Sequence, residues 1–124
     1  MVRSADTAAP PPELRPAWFE EFLADRGTRK PSRNTVLAYG FDFDAIAKLI
    51  VGDDRVASMQ TTDITLASVR SAFNVFAQSH KAASIRRCWA TWNTLCSFLY
   101  GVGSIPANPM SAIGRPKQDK QLPK

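Results

Sequence analysis

Few residues in this chain could do chemistry, and their spacing argues against an active site. His80 is the single histidine, in a stretch that reads as a loop between helices. A lone loop histidine is solvated far more often than it is catalytic. No serine or cysteine stands at a recognisable spacing from a general base. Asp42 and Asp44 share one helical stretch and point to different sides of it, while Asp53 and Asp54 follow Gly52 in a loop. Solvation or helix-end capping accounts for all four. Cys88 and Cys96 stand eight residues apart on one expected helix. Their Cα atoms then lie ~12 Å apart, beyond the ~7 Å reach of a disulfide. With no histidine or cysteine beside them, they read as small core residues rather than metal ligands. Gly40 and Gly52 form no phosphate-cradling loop. Catalytic residues, a cofactor and a metal site are therefore not expected.

The basic residues say more. Lys30, Arg33 and Asn34 cluster where one helix should begin, and Lys81, Arg86 and Arg87 where another should. A helix N-terminus adds free backbone N–H groups and the positive end of a dipole. On a helical wheel, Arg86, Ala90, Asn93 and Ser97 fall to one side of the second helix's apolar stripe, and Arg87, Thr91 and Thr94 to the other. Such residues suit DNA, with arginine and lysine on phosphates and Asn93 near base edges. They also suit an ordinary solvated helix face, and composition leaves both readings open.

The elements that must position these residues are helical throughout. "RPAWFEEFLADRG" puts Trp18, Phe19, Phe22 and Leu23 on one face and ends at Gly27. The next helix follows Pro31 with Ser32 as N-cap. Its main apolar stripe is Val36, Tyr39, Phe43, Ile46 and Ile50. A second stripe, Leu37, Phe41 and Ala45, predicts a helix sandwiched between neighbours. "TTDITLASVRSAFNVFAQSH" predicts a third helix capped by Thr61 or Thr62. "KAASIRRCWATWNTLCSFLYGVG" predicts a fourth, with Ile85, Trp89, Trp92, Cys96 and Leu99 inward and Gly101 and Gly103 breaking it. "RVASM" at residues 55–59 reads as a loop. Asn108 and Pro109 open a short fifth helix that Gly114 stops in a left-handed cap. The expectation is an all-α, compact bundle of four main helices plus a short fifth.

Bulk properties agree. At 124 residues with 44% hydrophobic and 22% charged side chains, the chain has the size and composition of one soluble globular domain. Its net charge of +5 favours an acidic partner, nucleic acid being the commonest. No apolar run reaches the ~20 residues of a membrane span. "MVRSADTAAPPPELRP" lacks the apolar centre of a signal peptide, so a cytoplasmic protein with no membrane partner is expected. Residues 1–12 read as a disordered, proline-rich start, residues 13–114 as the helical domain, and residues 115–124 as a basic tail.

Two stretches and that tail resemble the tyrosine recombinases, the integrase and Xer family. "SRNTVLAYGFDFDAIAKLI" carries the family's Thr, then Tyr, then Asp–apolar pair, here Thr35, Tyr39 and Asp42–Phe43. "SIRRCWATWNTLCSFLYGVGSIPANPM" looks like its later helix: Ser84, Arg87, Trp89, Trp92, Phe98, Leu99, a turn at Gly103, Ile105, and the Asn108–Pro109 pair. "RPKQDKQLPK" resembles the linker, which often ends in Leu–Pro before the catalytic domain. The order and spacing of these elements carry the likeness, across residues 14–124.

The resemblance implies a SAM-like core-binding domain that grips double-stranded DNA during integration or recombination. It implies DNA-facing roles for Lys30, Arg33, Asn34, Thr35, Lys81, Arg86, Arg87, Asn93 and Thr94, and for Arg115, Lys117 and Lys120 of the linker. The catalytic arginines, His-x-x-Arg and tyrosine nucleophile would belong to a further domain of the same polypeptide. Tyr39 lies on an apolar stripe and Tyr100 ends a helix, so neither is the nucleophile. The parent enzyme would close as a C-shaped clamp, form a 3′-phosphotyrosyl link without metal, and act as a tetramer. Gly40 and Phe41 replace basic residues frequent in the family, and Asn93 a frequent arginine, so the domain alone is expected to bind weakly. Gly40 should serve a close approach to a neighbour. The alternative is a stand-alone helical DNA-binding or protein-interaction module.

Overall fold

Helix boundaries follow from which side chains can satisfy the first free N–H groups of each turn. The computed structural model describes residues 14–115. Helix α1 (Ala17–Gly27) starts after Pro16, which is extended and blocks helix growth toward the N-terminus. Helix α2 (Arg33–Val51) starts where Ser32 Oγ accepts from the Thr35 N–H at 3.1 Å. Helix α3 (Leu66–Ala77) opens with a reciprocal box: Ser68 N–H donates to Thr65 Oγ1 at 3.0 Å and Thr65 N–H to Ser68 Oγ at 3.1 Å. Helix α4 (Ala82–Gly101) follows Lys81 with no side-chain cap.

Three expectations of detail are corrected. The third helix is capped by Thr65 rather than by Thr61 or Thr62, which lie in a 3-10 turn, Thr61–Asp63. The "RVASM" segment is mostly a second such turn, Asp53–Ser58, not an irregular loop. The short fifth helix is present as a 3-10 helix, Pro109–Ala112, and Asn108 caps it as expected, its Oδ1 accepting from Met110 N–H at 2.9 Å. That turn ends at Ile113 with φ −111°. Gly114 therefore supplies no left-handed cap; the glycines with positive φ are Gly52 and Gly103.

The described residues form an all-α compact bundle without strands, as the sequence predicts. Phe43 of α2 sits at its centre. Its ring stacks on Phe19 at 4.3 Å and on Trp92 at 5.5 Å, and meets the Trp18 edge at 5.6 Å. Each phenylalanine fully buried in this way contributes about 1.5–3 kcal/mol. Phe22 touches both Tyr39 of α2 and Phe98 of α4, whereas Asp42 touches Arg87 and Thr91. Moving up α2 means moving down α4, so the two helices are antiparallel.

The second apolar stripe of α2 is not sandwiched. Phe41 is 64% and Leu37 46% exposed, because α3 and α4 both pack on the other side of the helix. On α4 the buried face is rotated from the expected stripe: Cys88, Thr91 and Leu95 are buried, while Ile85 and Trp89 are half-buried. Gly40 does serve a close approach, but to a side chain. A Cβ there would lie 2.8 Å from the Arg15 guanidinium, which pairs with Asp44 through Nε at 3.0 Å and Nη2 at 2.8 Å. This clamp fixes the start of α1 on α2, and the Asp44 hydrogen bond raises the Arg15 pKa further.

Candidate nucleic-acid interface

At the start of α2, Lys30, Arg33, Asn34 and Thr35 are all exposed. The chain enters through Lys30 in a left-handed conformation, φ 52°, with its N–H on the Gly27 carbonyl at 3.0 Å. Such a φ is uncommon for a residue with a side chain. It turns the backbone sharply out of α1 so that Ser32 can cap α2. Thr35 Oγ1 joins the cap, 2.9 Å from Ser32 Oγ. Among the described residues no ion pair engages Lys30 or Arg33. The first turn of α2 holds no acidic residue, and neither does that of α4.

On α4 the candidates divide between the two edges of the helix. Arg87 faces α2. Its Nε donates to Asp42 Oδ1 at 3.0 Å, while its side chain stays 61% exposed. Asp42 itself is 1% exposed. Thr91 Oγ1 donates to its other oxygen at 2.8 Å, and the Cys88 thiol donates to Oδ1 at 3.6 Å. Trp92 Nε1 donates to the Asp42 backbone carbonyl at 3.2 Å. The reading of Asp42 as a solvated surface carboxylate is thus overturned: it is the buried node that joins α2 to α4. Its position was detectable, since Asp42 falls on the wheel beside Tyr39 and Ile46, on the inward side of α2.

The opposite edge of α4 faces the closing 3-10 turn. Asn93 Oδ1 accepts from Asn108 Nδ2 at 3.0 Å, so half of its amide is committed to holding that turn. Arg86 is half-buried. Trp89 Nε1 donates to the Ile113 carbonyl at 2.8 Å, and the Arg115 guanidinium lies over the Trp89 ring at 5.7 Å. Arg115 therefore rests against the bundle. Thr94 Oγ1 donates to the Ala90 carbonyl within its own helix at 3.0 Å. Lys81 is exposed at the start of the helix. Lys117 and Lys120 lie outside the described residues.

The two helix starts stand at opposite ends of the antiparallel pair and do not form one patch. What does come together is the node between α2 and α4, where Arg87 and Thr91 meet Asp42. Arg33 and Asp42 are nine residues apart on α2. A helix rise of 1.5 Å per residue separates them by about 14 Å along the axis. Nine residues make about two and a half turns, so Arg33 leaves α2 on the side opposite Asp42 and its partner Arg87. Exposed Leu37 and Phe41 lie on the Arg33 side of α2, away from α3 and α4.

The thiols are buried and unpaired with each other, as expected. Burial, with the nearby Asp42 charge, pushes Cys88 up to about 12; burial alone pushes Cys96 up to about 12. Both are protonated and unreactive near neutrality. His80 is exposed; its ring stacks on Phe76 at 3.7 Å and Nδ1 donates to the Phe76 carbonyl at 2.9 Å. Among the described residues no group of three histidine, cysteine or acidic side chains is placed to hold a metal ion, and no helix is long and apolar enough to cross a membrane.

Comparison with known proteins finds a distant relative. The chain is 29% identical over 112 residues to a protein described as tyrosine recombinase XerC, from Chlorobaculum parvum. The match covers 86% of this chain and 33% of that protein, so the chain spans about a third of the relative's length. No family model matches the chain. No solved structure matches it.

Proposed function

We propose that this chain is a DNA-gripping domain of the tyrosine recombinase class, holding the duplex of a recombination site for a catalytic domain elsewhere in the same polypeptide. The observation that carries this reading is that Lys30, Arg33, Lys81 and Arg87, at and near the starts of α2 and α4, stand exposed with no acidic residue in the first turn of either helix. The distant likeness to a recombinase supports it. In this reading Lys30, Arg33, Lys81 and Arg87 neutralise phosphates. Asn34, Thr35 and Thr94 serve as neutral hydrogen-bonding groups. Arg86, Asn93 and Arg115 serve from the other edge of α4, and Lys117 and Lys120 extend the basic run along the duplex. The domain performs no bond chemistry; it supplies grip and register, and full-length protomers assemble as a tetramer on DNA.

Titration of a labelled duplex at several salt concentrations tests the proposal. Each neutralised phosphate adds about 0.9 to the negative slope of log K against log salt, so a domain using several cations gives a steep line. A flat line, or no binding at low salt, overturns it. A protein-interaction module is the second reading, favoured by Leu37 and Phe41, exposed on the face of α2 that points away from α3 and α4. Salt-insensitive binding to a protein, with none to DNA, would establish that instead.

A further inference from the structure

We infer that Asp42 is the positioning residue of the DNA contact: it grips Arg87 from inside the bundle and presents the rest of the guanidinium to a phosphate. The inference rests on the DNA-gripping reading and deepens it.

The chemistry starts from the carboxylate. A buried charge must be paired and hydrogen-bonded or it is strongly disfavoured. Asp42 meets that demand with both oxygens. Oδ2 accepts from Thr91 Oγ1 at 2.8 Å, and Oδ1 accepts from Cys88 Sγ at 3.6 Å and Arg87 Nε at 3.0 Å. Thr91 is 5% and Cys88 1% exposed, so the carboxylate cannot swing out with the arginine. Its geometry is set by the packed face of α4 before any ligand arrives.

Arg87 is held differently from an arginine in a symmetric fork. Arg15 uses Nε and Nη2 together on Asp44, which occupies one whole edge of its guanidinium. Arg87 engages Asp42 through Nε, and among the described residues no hydrogen bond is shown for either Nη group. With the side chain 61% exposed, the planar Nη pair faces solvent at the α2–α4 seam. That is the edge that matches two phosphate oxygens. A free arginine loses much rotamer freedom on docking; one already gripped at Nε has lost it during folding. Lysine cannot replace it, because a single ammonium cannot hold Asp42 and offer a planar fork at once.

Duplex titration at one low salt concentration, with thermal melting alongside, tests this on the full chain. The variants are Asp42→Asn, Arg87→Gln and the two combined. Asp42→Asn keeps the shape and an acceptor for Arg87 while removing the charge. It should weaken DNA binding roughly 3- to 10-fold in the wild-type background and change nothing further in the Arg87→Gln background. An equal loss in both backgrounds would mean that Asp42 acts only through the fold, and the inference falls. Arg87→Lys covers the case in which Asp42→Asn does not fold. It keeps the charge, yet should lose about as much affinity as Arg87→Gln; unchanged binding overturns the positioning role. If the wild-type chain binds no duplex, the DNA-gripping reading fails and this inference with it. If the wild type binds and Arg87→Gln leaves affinity intact, the DNA-gripping reading stands and only this inference fails.

Discussion

The starts of α2 and α4 carry similar side chains and are built in opposite ways. At α2 the anchoring is local. Ser32 closes onto the Thr35 N–H three residues on, and Lys30, Arg33 and Asn34 stand exposed around it. At α4 no side chain caps the helix. Its basic residue nearest α2 is instead tied to a carboxylate 45 residues earlier in the chain. The first start folds as a short motif that needs little from the rest of the molecule. The second exists only when two helices have packed. Cation for cation their composition is alike, but one cluster is a property of local sequence and the other of tertiary structure. That difference predicts which substitutions will unfold the domain and which will only alter its surface.

The largest effect should come from Trp92→Ala. Trp92 is fully buried, stacks on Phe43 and donates to the Asp42 carbonyl, so its loss opens the packing that the α4 start depends on. A destabilisation of about 3–5 kcal/mol is expected, read from the denaturant midpoint. Trp89→Ala should cost less, because that indole is half-buried and serves mainly to hold Ile113 and Arg115. Equal costs for the two tryptophans would show that the seam is not where the stability lies.

Next in size is the contrast between Arg87→Ala and Arg33→Ala. The first leaves a buried carboxylate short of its cation and should cost about 1–3 kcal/mol. The second removes an exposed side chain and should stay within about 0.5 kcal/mol. Paired melting curves decide it; indistinguishable curves would erase the distinction between a tertiary and a local basic cluster. The last contrast concerns the caps. Ser32→Ala should cost about 1 kcal/mol and speed amide exchange in the first turn of α2. Lys81→Ala, where no side-chain cap exists to lose, should leave the first turn of α4 unchanged.

Sequence patterns located the helices because the signals they use are local. Ser32 before Arg33, Pro16 before Ala17 and Asn108 before Pro109 act within a few residues, and the apolar spacing of α2 and α4 marks the helices themselves. The misplaced start of α3 is instructive. Thr61, Thr62 and Thr65 are all adequate caps, and only the reciprocal bond with Ser68 selects the last. Asp42 was legible only in part. Its place on the wheel was inward, but a carboxylate is ordinarily a surface residue, and the partners that make burial tolerable are on another helix. Leu37 and Phe41 misled for the converse reason: apolar spacing reports what could be buried, not whether a neighbour arrives to bury it. Among the candidate DNA-facing residues, exposure at the helix starts followed from the sequence. The wheel also divided α4 into two edges; that the Arg87 edge meets α2 and the Asn93 edge meets Asn108 depended on how the helices pack.

The seat that Gly40 makes for Arg15 has an evolutionary consequence. Any side chain at position 40 would need the space the guanidinium fills, 2.8 Å from where its Cβ would stand. Evicting the guanidinium would strand Asp44 and loosen the start of α1. The three positions are therefore expected to vary together. In related chains a larger residue at position 40 should arrive together with replacements at 15 and 44, and a glycine at 40 should mark those chains that keep the pair.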